Sequence, residues 1–455
     1  MKVPELRHRI LFTLAMIVVV RLGVQIPLPG IDVMELQKVI EASANASGPG
    51  AGLATVLTIF SGGGLQQCGI FALGIMPYIS ASIMTQLLSA VVPQWAKMVR
   101  EEGGRQKMTK WTRAIAIVIA IVQGWFLVGT LEHPDRLKAV GLNIPPDCQL
   151  VIDPGMQFAL MTVLIMVAGT MFLMWIGDQI TERGVGNGVS LIISVNIIHA
   201  LPGAVTLAWK TLVYKDGAVV PMGAMLLVAL IAFLIIVVAL VVTVTQAQRR
   251  IPVQYAKRVV GNKQYGGARQ YIPLKVNTAG VMPIIFAQAI MFIPIALVGF
   301  SADNANSRFM QSFMSNTGFW YNFVFAVLII LFTYFYTAVT VQPNQMAEDM
   351  KRNNGFIPGV KPGKKTAAYI DSIMSRITLP GSIFLAIVAI MPAFAQIAGI
   401  SAEFSQFFGG TSLLILVGVV LDTLQQIESH LMMRHYDGLL KSGRIKGRTG
   451  SIAAY

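Results

Sequence analysis

The side chains that could do chemistry are few, and their spacing does not suit catalysis or metal binding. Two cysteines, Cys68 and Cys148, and five histidines form neither a CxxC nor an HExxH motif. Charged residues inside the apolar segments are limited to Arg21, Asp422 and Glu428. Such residues are functional candidates by default, but no two acids share a helix face here. We therefore predict no catalytic residue, no metal site, no cofactor and no enzymatic activity.

The elements that carry these residues are apolar and long enough to cross a membrane. Of the 455 residues, 55% are hydrophobic and 12% are charged, about half the charged fraction of a soluble protein. Ten charge-poor segments, called spans 1 to 10 below, approach the length of about 20 residues that a membrane helix needs. They predict an all-α polytopic membrane protein with spans near Ile10–Ile26, Ile70–Val92, Ala114–Leu131, Gly155–Gly177, Gly184–Ala208, Pro221–Thr245, Val276–Phe300, Trp320–Gln342, Ile377–Ile400 and Phe404–Ile427.

The distribution of basic residues predicts the orientation of these spans. The net charge is +14, and Lys and Arg concentrate in the linkers after spans 2, 6 and 8 and at both termini. The alternate linkers carry mainly acids, such as Glu35 and Asp135. By the positive-inside rule, ten spans with both termini in the cytoplasm satisfy all of these linkers.

One apolar segment is too short to cross. Gly52–Leu65 has fourteen residues and is bounded by glycine-rich stretches. We expect an interfacial helix or a re-entrant segment buried in protein.

An internal repeat relates the two halves of the chain. Gly74–Ile79 in span 2 and Gly280–Ile285 in span 7 both read G-[IV]-M-P-x-I, while Gly188–Ile193 and Gly410–Ile415 both read G-x-S-L-[IL]-I. Each half has five spans, so the halves must have opposite orientations, as in an inverted repeat. We predict halves at residues 1–209 and 210–455, and we expect the Met-Pro pairs to kink spans 2 and 7.

The repeat also pairs four isoleucines. Ile79 matches Ile285, and Ile193 matches Ile415. Four apolar side chains related by symmetry favour a hydrophobic constriction at the interface of the halves. Ordinary helix packing is the alternative interpretation.

Long motifs throughout the chain resemble the bacterial SecY family, whose members form the channel of the Sec translocon. They are RLGVQIPLPGID at Arg21–Asp32, FSGGG at Phe60–Gly64, IFALGIMPYISASI at Ile70–Ile83, GTMFLMWIGDQITERGVGNGVSLII at Gly169–Ile193, QRRIPVQYAKR at Gln248–Arg258, PLKVNTAGVMP at Pro273–Pro283 and FFGGTSLLI at Phe407–Ile415.

The resemblance implies a pore with three parts. A ring of aliphatic side chains would close it at Ile75, Ile79, Ile193, Ile285 and Ile415. A plug near residues 53–67 would lie under the ring, with Leu53, Val56, Leu57, Ile59, Phe60, Ser61, Gly62, Gly63, Gly64 and Leu65. A lateral gate between spans 2 and 7 would let signal sequences and membrane helices pass into lipid, and it would include Met76, Pro77, Ile83, Gln86, Asn277 and Pro283.

The resemblance also implies docking loops and partners. The first basic loop, residues 246–275, and the second basic loop, residues 343–376, would bind the SecA motor and the ribosome through Arg249, Arg250, Lys257, Arg258, Lys351, Arg352, Lys361, Lys364 and Lys365. The family commonly has Arg where this chain has Lys361, and Lys lacks the planar fork of Arg. Further implied partners are the SecE and SecG subunits, YidC, SecDF, nascent chains and membrane lipids, all at the bacterial inner membrane.

The function predicted in this way is a passive protein-conducting channel, with ATP hydrolysis in the SecA partner. The alternative is an inverted-repeat transporter of a small solute, which should show charged or polar residues at the midplane. An intramembrane enzyme is a third possibility, and it lacks a nucleophile–base or metal set.

Overall fold

The computed structural model describes residues 4–32, 35, 68–100, 103–132, 151–215, 218–219, 221–255, 258–260, 263–265, 269–278, 280–288, 290–291, 318–397, 400, 402–405, 407 and 409–441. Helices dominate this part of the chain. They cover Pro4–Val24, Met76–Val91, Pro93–Arg100, Gly104–Glu132, Met156–Arg183, Gly188–Leu212, Pro221–Gln246, Phe319–Thr340, Pro343–Arg352, Lys364–Ile397, Ala402–Ser405 and Gly410–Lys441. The strands of the described residues are β1 (Tyr214–Lys215), β2 (Ala218–Val219), β3 (Gln248–Tyr255), β4 (Arg258–Val260), β5 (Lys263–Tyr265), β6 (Arg269–Lys275) and β7 (Gly355–Phe356).

Each predicted span has a helical counterpart in the described residues. Seven helices are long and apolar enough to cross a membrane, namely those of spans 3, 4, 5, 6, 8, 9 and 10. The helix of span 1 carries Arg21 in its last turn, the helix of span 2 has 16 residues, and span 7 is helical at residues 282–288. The chain is thus a multi-pass membrane protein, and the count of ten spans stays a prediction.

The Met-Pro pairs begin helices, so the predicted kinks in spans 2 and 7 are wrong. The helix of span 2 starts at Met76, and the helical residues of span 7 start at the matching Met282. Proline suits the first turn of a helix, where its missing N–H would have no partner in the helix. Just before them, Gly74 and Gly280 have φ of 56° and 63°, a left-handed conformation that glycine adopts readily.

The second pair of repeat motifs also has matching local structure. The helices of spans 5 and 10 begin at the matched glycines, Gly188 and Gly410. Equal helix starts at four matched positions support the predicted repeat.

Several helices extend beyond the predicted spans, most of all those of spans 9 and 10. The helix of span 9 starts at Lys364, thirteen residues before the predicted start at Ile377, and the helix of span 10 continues from Gly410 to Lys441. Hydropathy marks only the part of a helix that suits lipid. Polar turns that continue the same helix into water are therefore missed.

Span 4 approaches span 5 most closely at two glycines. A Cβ atom at Gly188 would overlap the carbonyl oxygen of Gly177. We expect Gly188→Ala to destabilise the protein by about 1–3 kcal/mol, because overpacking forces the backbones apart. The measurement is the apparent melting temperature of the purified protein in detergent.

Gly203 is the matched control, since it lies in the same helix and a Cβ there meets no atom within 4 Å. Gly203→Ala should leave the melting temperature unchanged or raise it, because alanine favours helix. Equal melting temperatures for the two variants would contradict the close approach.

Candidate functional site

The five isoleucines of the predicted ring belong to one large hydrophobic cluster, called the isoleucine cluster below, together with many other residues of the spans. Ile75, Ile79, Ile193 and Ile415 are buried in it, with exposed fractions of 1%, 8%, 4% and 3%, and Ile285 is partly buried and packs against the cluster. They come from spans 2, 5, 7 and 10, so both halves contribute. All four spans thus contribute to one apolar core, and the role of the isoleucines as a pore ring stays a prediction.

Spans 2 and 7 hold matching isoleucines by matching backbone hydrogen bonds. The N–H of Ile79 donates to the carbonyl of Ile75 at 3.1 Å, and the N–H of Ile285 donates to the carbonyl of Val281 at 3.4 Å. Each of these bonds belongs to the first helical turn, next to the positive-φ glycine. The fixed turn determines where each isoleucine enters the cluster.

The predicted gate residues lie along the same two spans. Met76 and Pro77 form the first turn of span 2, where Ile83 is buried and the Gln86 side-chain N–H donates to the Ser82 hydroxyl at 3.2 Å. Pro283 is buried in the corresponding turn of span 7. Their role as a gate stays a prediction.

Asn277 is the polar member of this group. It is 9% exposed, and within the described residues its side-chain oxygen has no hydrogen-bond partner. A buried acceptor without a partner costs about 1–3 kcal/mol, so it calls for an explanation beyond packing. One such explanation would be that this side-chain oxygen meets water or a passing polypeptide when span 7 moves.

The two basic loops form a single folded unit, which the sequence did not reveal. Three strands, β3 (Gln248–Tyr255), β6 (Arg269–Lys275) and β7 (Gly355–Phe356), make one antiparallel sheet in the order β6-β3-β7. The first two belong to the first basic loop and β7 to the second. Beneath them, side chains of both loops share a core that includes Ile251, Val253, Leu274, Met350, Ile357, Ile370 and Met374.

The sequence pattern that could predict this sheet is short. Residues of β3 alternate between exposed and buried from Arg250 to Val253, the period of a half-buried strand. The partner strand β7 has two residues, too few to detect from sequence. Its pairing with β3, at Gln254 with Phe356, also joins positions far apart in the chain.

Most of the predicted docking residues lie in this unit. Arg249 and Arg250 are exposed on β3, and Arg258 lies in the short strand Arg258–Val260, while Lys257 is outside the described residues. The predicted residues of the second loop are all exposed, namely Lys351, Arg352, Lys361, Lys364 and Lys365. Their role in docking stays a prediction.

We expect Val253→Asp to open the loop unit without unfolding the spans. Val253 is 1% exposed in the shared core, where an unpaired carboxylate is costly. Trypsin should then cleave the basic loops of the vesicle-embedded protein at least about tenfold faster, since a loss of 1.4 kcal/mol raises the open population tenfold.

The control for this variant is Gln270→Asp, at the exposed position that pairs with Val253 in β6. It should be cleaved at the wild-type rate. Equal cleavage of the two variants would show that the loops do not share a core.

Comparison with known proteins decides the family. A sequence profile of the SecY family matches residues 69–424. A curated relative from Streptomyces griseus, named protein translocase subunit SecY, is 42% identical over 444 residues, which cover 97% of this chain and 98% of the relative. The chain belongs to the SecY family. A relative of the same name from Thermotoga maritima is 38% identical over 450 residues, covering 98% of each chain.

Solved structures of protein-conducting channels share the fold of this chain. A structure described as that of a protein conducting channel has a TM-score of 0.58 at 16% identity and covers 94% of this chain and 93% of its own. A yeast Ssh1 complex bound to the 80S ribosome has a TM-score of 0.59 at 12% identity, covering 94% and 90%. The SecY fold supports the predicted all-α channel architecture and gives no support to the alternative of a small-solute transporter.

Family membership makes this chain a channel protein rather than an enzyme. Within the described residues, no group of three or more His, Cys, Asp or Glu side chains could hold a metal ion. The plug at residues 53–67 lies outside the described residues, so its placement stays a prediction.

Proposed function

We propose that unfolded preproteins cross the membrane through a pore between the two halves of this chain, closed at rest by Ile75, Ile79, Ile193, Ile285 and Ile415. As a SecY family member, the chain is the protein-conducting subunit of a translocase. The observation that supports the pore assignment is that these five isoleucines, from four spans of both halves, belong to one apolar cluster.

Isoleucine suits this closure physically. Its side chain offers no ligand for an ion, and an apolar constriction excludes water and ions when it is empty. It can also part around nearly any polypeptide, because it makes no directional bond that a particular sequence must satisfy. A ring of this kind would therefore block ions and still accept many substrates.

Lateral release into lipid would take place between spans 2 and 7. The helices there begin at matched Met-Pro turns, and the buried oxygen of Asn277 lies at the start of span 7. The plug at residues 53–67 would cover the ring from the non-cytoplasmic side. Signal sequences would displace these elements as they enter the gate.

The basic loops would dock the partners that supply energy, SecA with its ATP hydrolysis and the ribosome. Among the solved neighbours, a canine Sec61 is described in a ribosome–channel complex. The sheet and core shared by the two loops in this chain give such a partner one rigid surface. SecE, SecG, YidC and SecDF would complete the assembly.

We further propose that the protein resides in the bacterial inner membrane with both termini in the cytoplasm. The support is the concentration of Lys and Arg in the linkers after spans 2, 6 and 8 and at the termini.

Reconstitution tests this function against its alternative. Purified protein with its SecE and SecG partners is placed in vesicles, and import of a preprotein is measured with SecA and ATP. We expect import to depend on ATP and on an intact signal sequence. Uptake of a small solute driven by an ion gradient, without preprotein import, would identify a transporter instead.

Deletion of residues 53–67 tests the plug. The segment is too short to span the membrane, so we expect a folded, inserted protein that exports preproteins with defective signal sequences several-fold better. The measurement is the export ratio of defective to intact signal sequences in cells. Loss of membrane insertion would show that the segment is structural.

A further inference from the structure

The linker between spans 4 and 5, residues 184–187, has its backbone N–H groups held by side chains from different spans. The N–H of Val185 donates to the Thr13 hydroxyl of span 1 at 3.1 Å. The N–H of Gly188, the first residue of span 5, donates to the Thr181 hydroxyl of span 4 at 2.9 Å. Both acceptors belong to the N-terminal half, so these bonds hold the linker to its own half.

One bond of the linker crosses to the other half. The N–H of Gly186 donates to the side-chain oxygen of Gln426, in span 10, at 2.9 Å. Because a backbone N–H can only donate, the carboxamide of Gln426 must present its oxygen there. Gly186 is buried whereas Gln426 is exposed, so the bond lies at the edge of the packed region.

Gly186 also lies close to span 10. Its φ is +88°, and a Cβ atom there would lie 3.0 Å from the Leu191 side chain and 3.1 Å from the Thr423 hydroxyl of span 10. The linker and span 10 thus fit closely at this point. Span 5 also packs against span 10, and both helices contribute isoleucines to the same cluster, Ile193 and Ile415.

We propose that Gln426 is a positioning residue that holds the two halves in the closed arrangement and thereby sets how strictly the channel selects signal sequences. The inference rests on the proposed pore between the halves. A polypeptide that passes the ring requires the halves to move, and the bond to Gly186 exists only while span 10 lies against the linker. An interaction present in one arrangement and absent in the other shifts the population between them.

The effect of removing the bond follows from its presence in the closed arrangement alone. Without the Gln426 oxygen, the N–H of Gly186 loses this hydrogen bond in the closed arrangement, while the arrangement with parted halves is unaffected. The population with parted halves should rise about tenfold, which corresponds to about 1.4 kcal/mol. Export of preproteins with weak signal sequences should increase, because binding of the signal sequence has to supply less of the free energy that opens the channel.

The test uses the full chain as the channel protein in cells that depend on it. Export is measured for a preprotein with an intact signal sequence and for one whose signal sequence has a charge in its apolar core. We expect Gln426→Leu to raise the ratio of defective to intact export about tenfold. A change in protein abundance alone alters both exports together, so it leaves this ratio unchanged.

Three variants serve as controls. Gln426→Glu keeps an acceptor oxygen on an exposed side chain, and Gln425→Leu makes the same replacement at the exposed neighbour that makes no cross-half bond to Gly186, so both should keep the wild-type ratio. Thr13→Val removes the acceptor of Val185 within one half and should also keep the ratio, even if it lowers abundance. Gln426→Ser, too short to reach Gly186, repeats the removal with a polar side chain.

The outcomes separate the inference from the channel function. A ratio in Gln426→Leu equal to that in Gln425→Leu, or a raised ratio in Gln426→Glu, would overturn the role of the bond while intact export continues. Failure of both Gln426→Leu and Gln426→Ser to accumulate in the membrane would also overturn it, because the bond would then be required for folding. Absence of intact export in the wild type would instead contradict the channel function.

Discussion

Replacing Ile79 and Ile285 together with serine should raise the resting ion conductance of the channel at least about tenfold. The two side chains occupy matched positions in the isoleucine cluster, one from each half. A small hydroxyl-bearing side chain both widens the constriction and lets water enter, so the dehydration barrier to ions falls. A fall of only about 1.4 kcal/mol in that barrier gives a tenfold increase in rate. The measurement is single-channel conductance in planar bilayers without substrate.

The matched control places serine at Ile236 and Ile387, which lie in the helices of spans 6 and 9 and are 62% and 58% exposed. It makes the same chemical change on surfaces that face away from the cluster. We expect wild-type conductance from it. Unchanged conductance in the Ile79/Ile285 variant as well would remove the ring assignment.

Replacing Arg249 and Arg250 with glutamate should lower the affinity for the ribosome by roughly tenfold at physiological salt. Both side chains are exposed on β3. Each cation that neutralises a phosphate of ribosomal RNA releases a counterion, so its loss weakens binding and flattens the dependence on salt. The measurement is the dissociation constant of purified protein in vesicles for ribosomes at several salt concentrations.

The control reverses Lys107 and Lys110, two exposed cations of the linker between spans 2 and 3, on the same predicted side of the membrane. They lie outside the loop unit, so ribosome affinity should stay near the wild-type value. Equal losses in the two variants would show that ribosome binding depends on the total positive charge of this face and not on Arg249 and Arg250 in particular.

Lys361→Glu should mainly lower SecA-driven import, several-fold, because Lys361 is exposed in the second basic loop.

Sequence predicted the spans because lipid imposes a simple rule on the backbone. A crossing segment must satisfy its own polar groups, so it must be a helix of apolar residues about 20 long. Hydropathy therefore located helices such as Pro221–Gln246 to within one residue of the predicted end. It gave no information on where a helix continues into water, as at Lys364.

The repeat predicted matching helix starts for a different reason. Matched motifs imply matched local geometry, and the shared helix starts at Met76 and Met282 bear this out. The prediction of kinks was wrong because proline occurs both at kinks and in the first turn of helices. Only the local hydrogen bonds distinguish the two, and these depend on the preceding glycine.

Contacts between distant parts of the chain escaped the sequence. The bond from Gly186 to Gln426 joins residues 240 positions apart, and a single glutamine on a polar helix face carries no pattern. The pairing of β3 with the two-residue strand β7 is similar. Such contacts follow from how the helices are arranged, and the arrangement is not encoded in any one segment.

The sheet shared by the two loops bears on how chimeric proteins should be built. Exchanging only the first basic loop for that of a relative would place a foreign β3 against the native β7 and foreign side chains against Met350 and Ile357. A core of this kind tolerates substitutions when its total volume is kept. Two loops taken from different proteins do not guarantee this. Residues 246–275 and 343–376 therefore form one unit of exchange, and a graft that aims to transfer partner specificity has to move both.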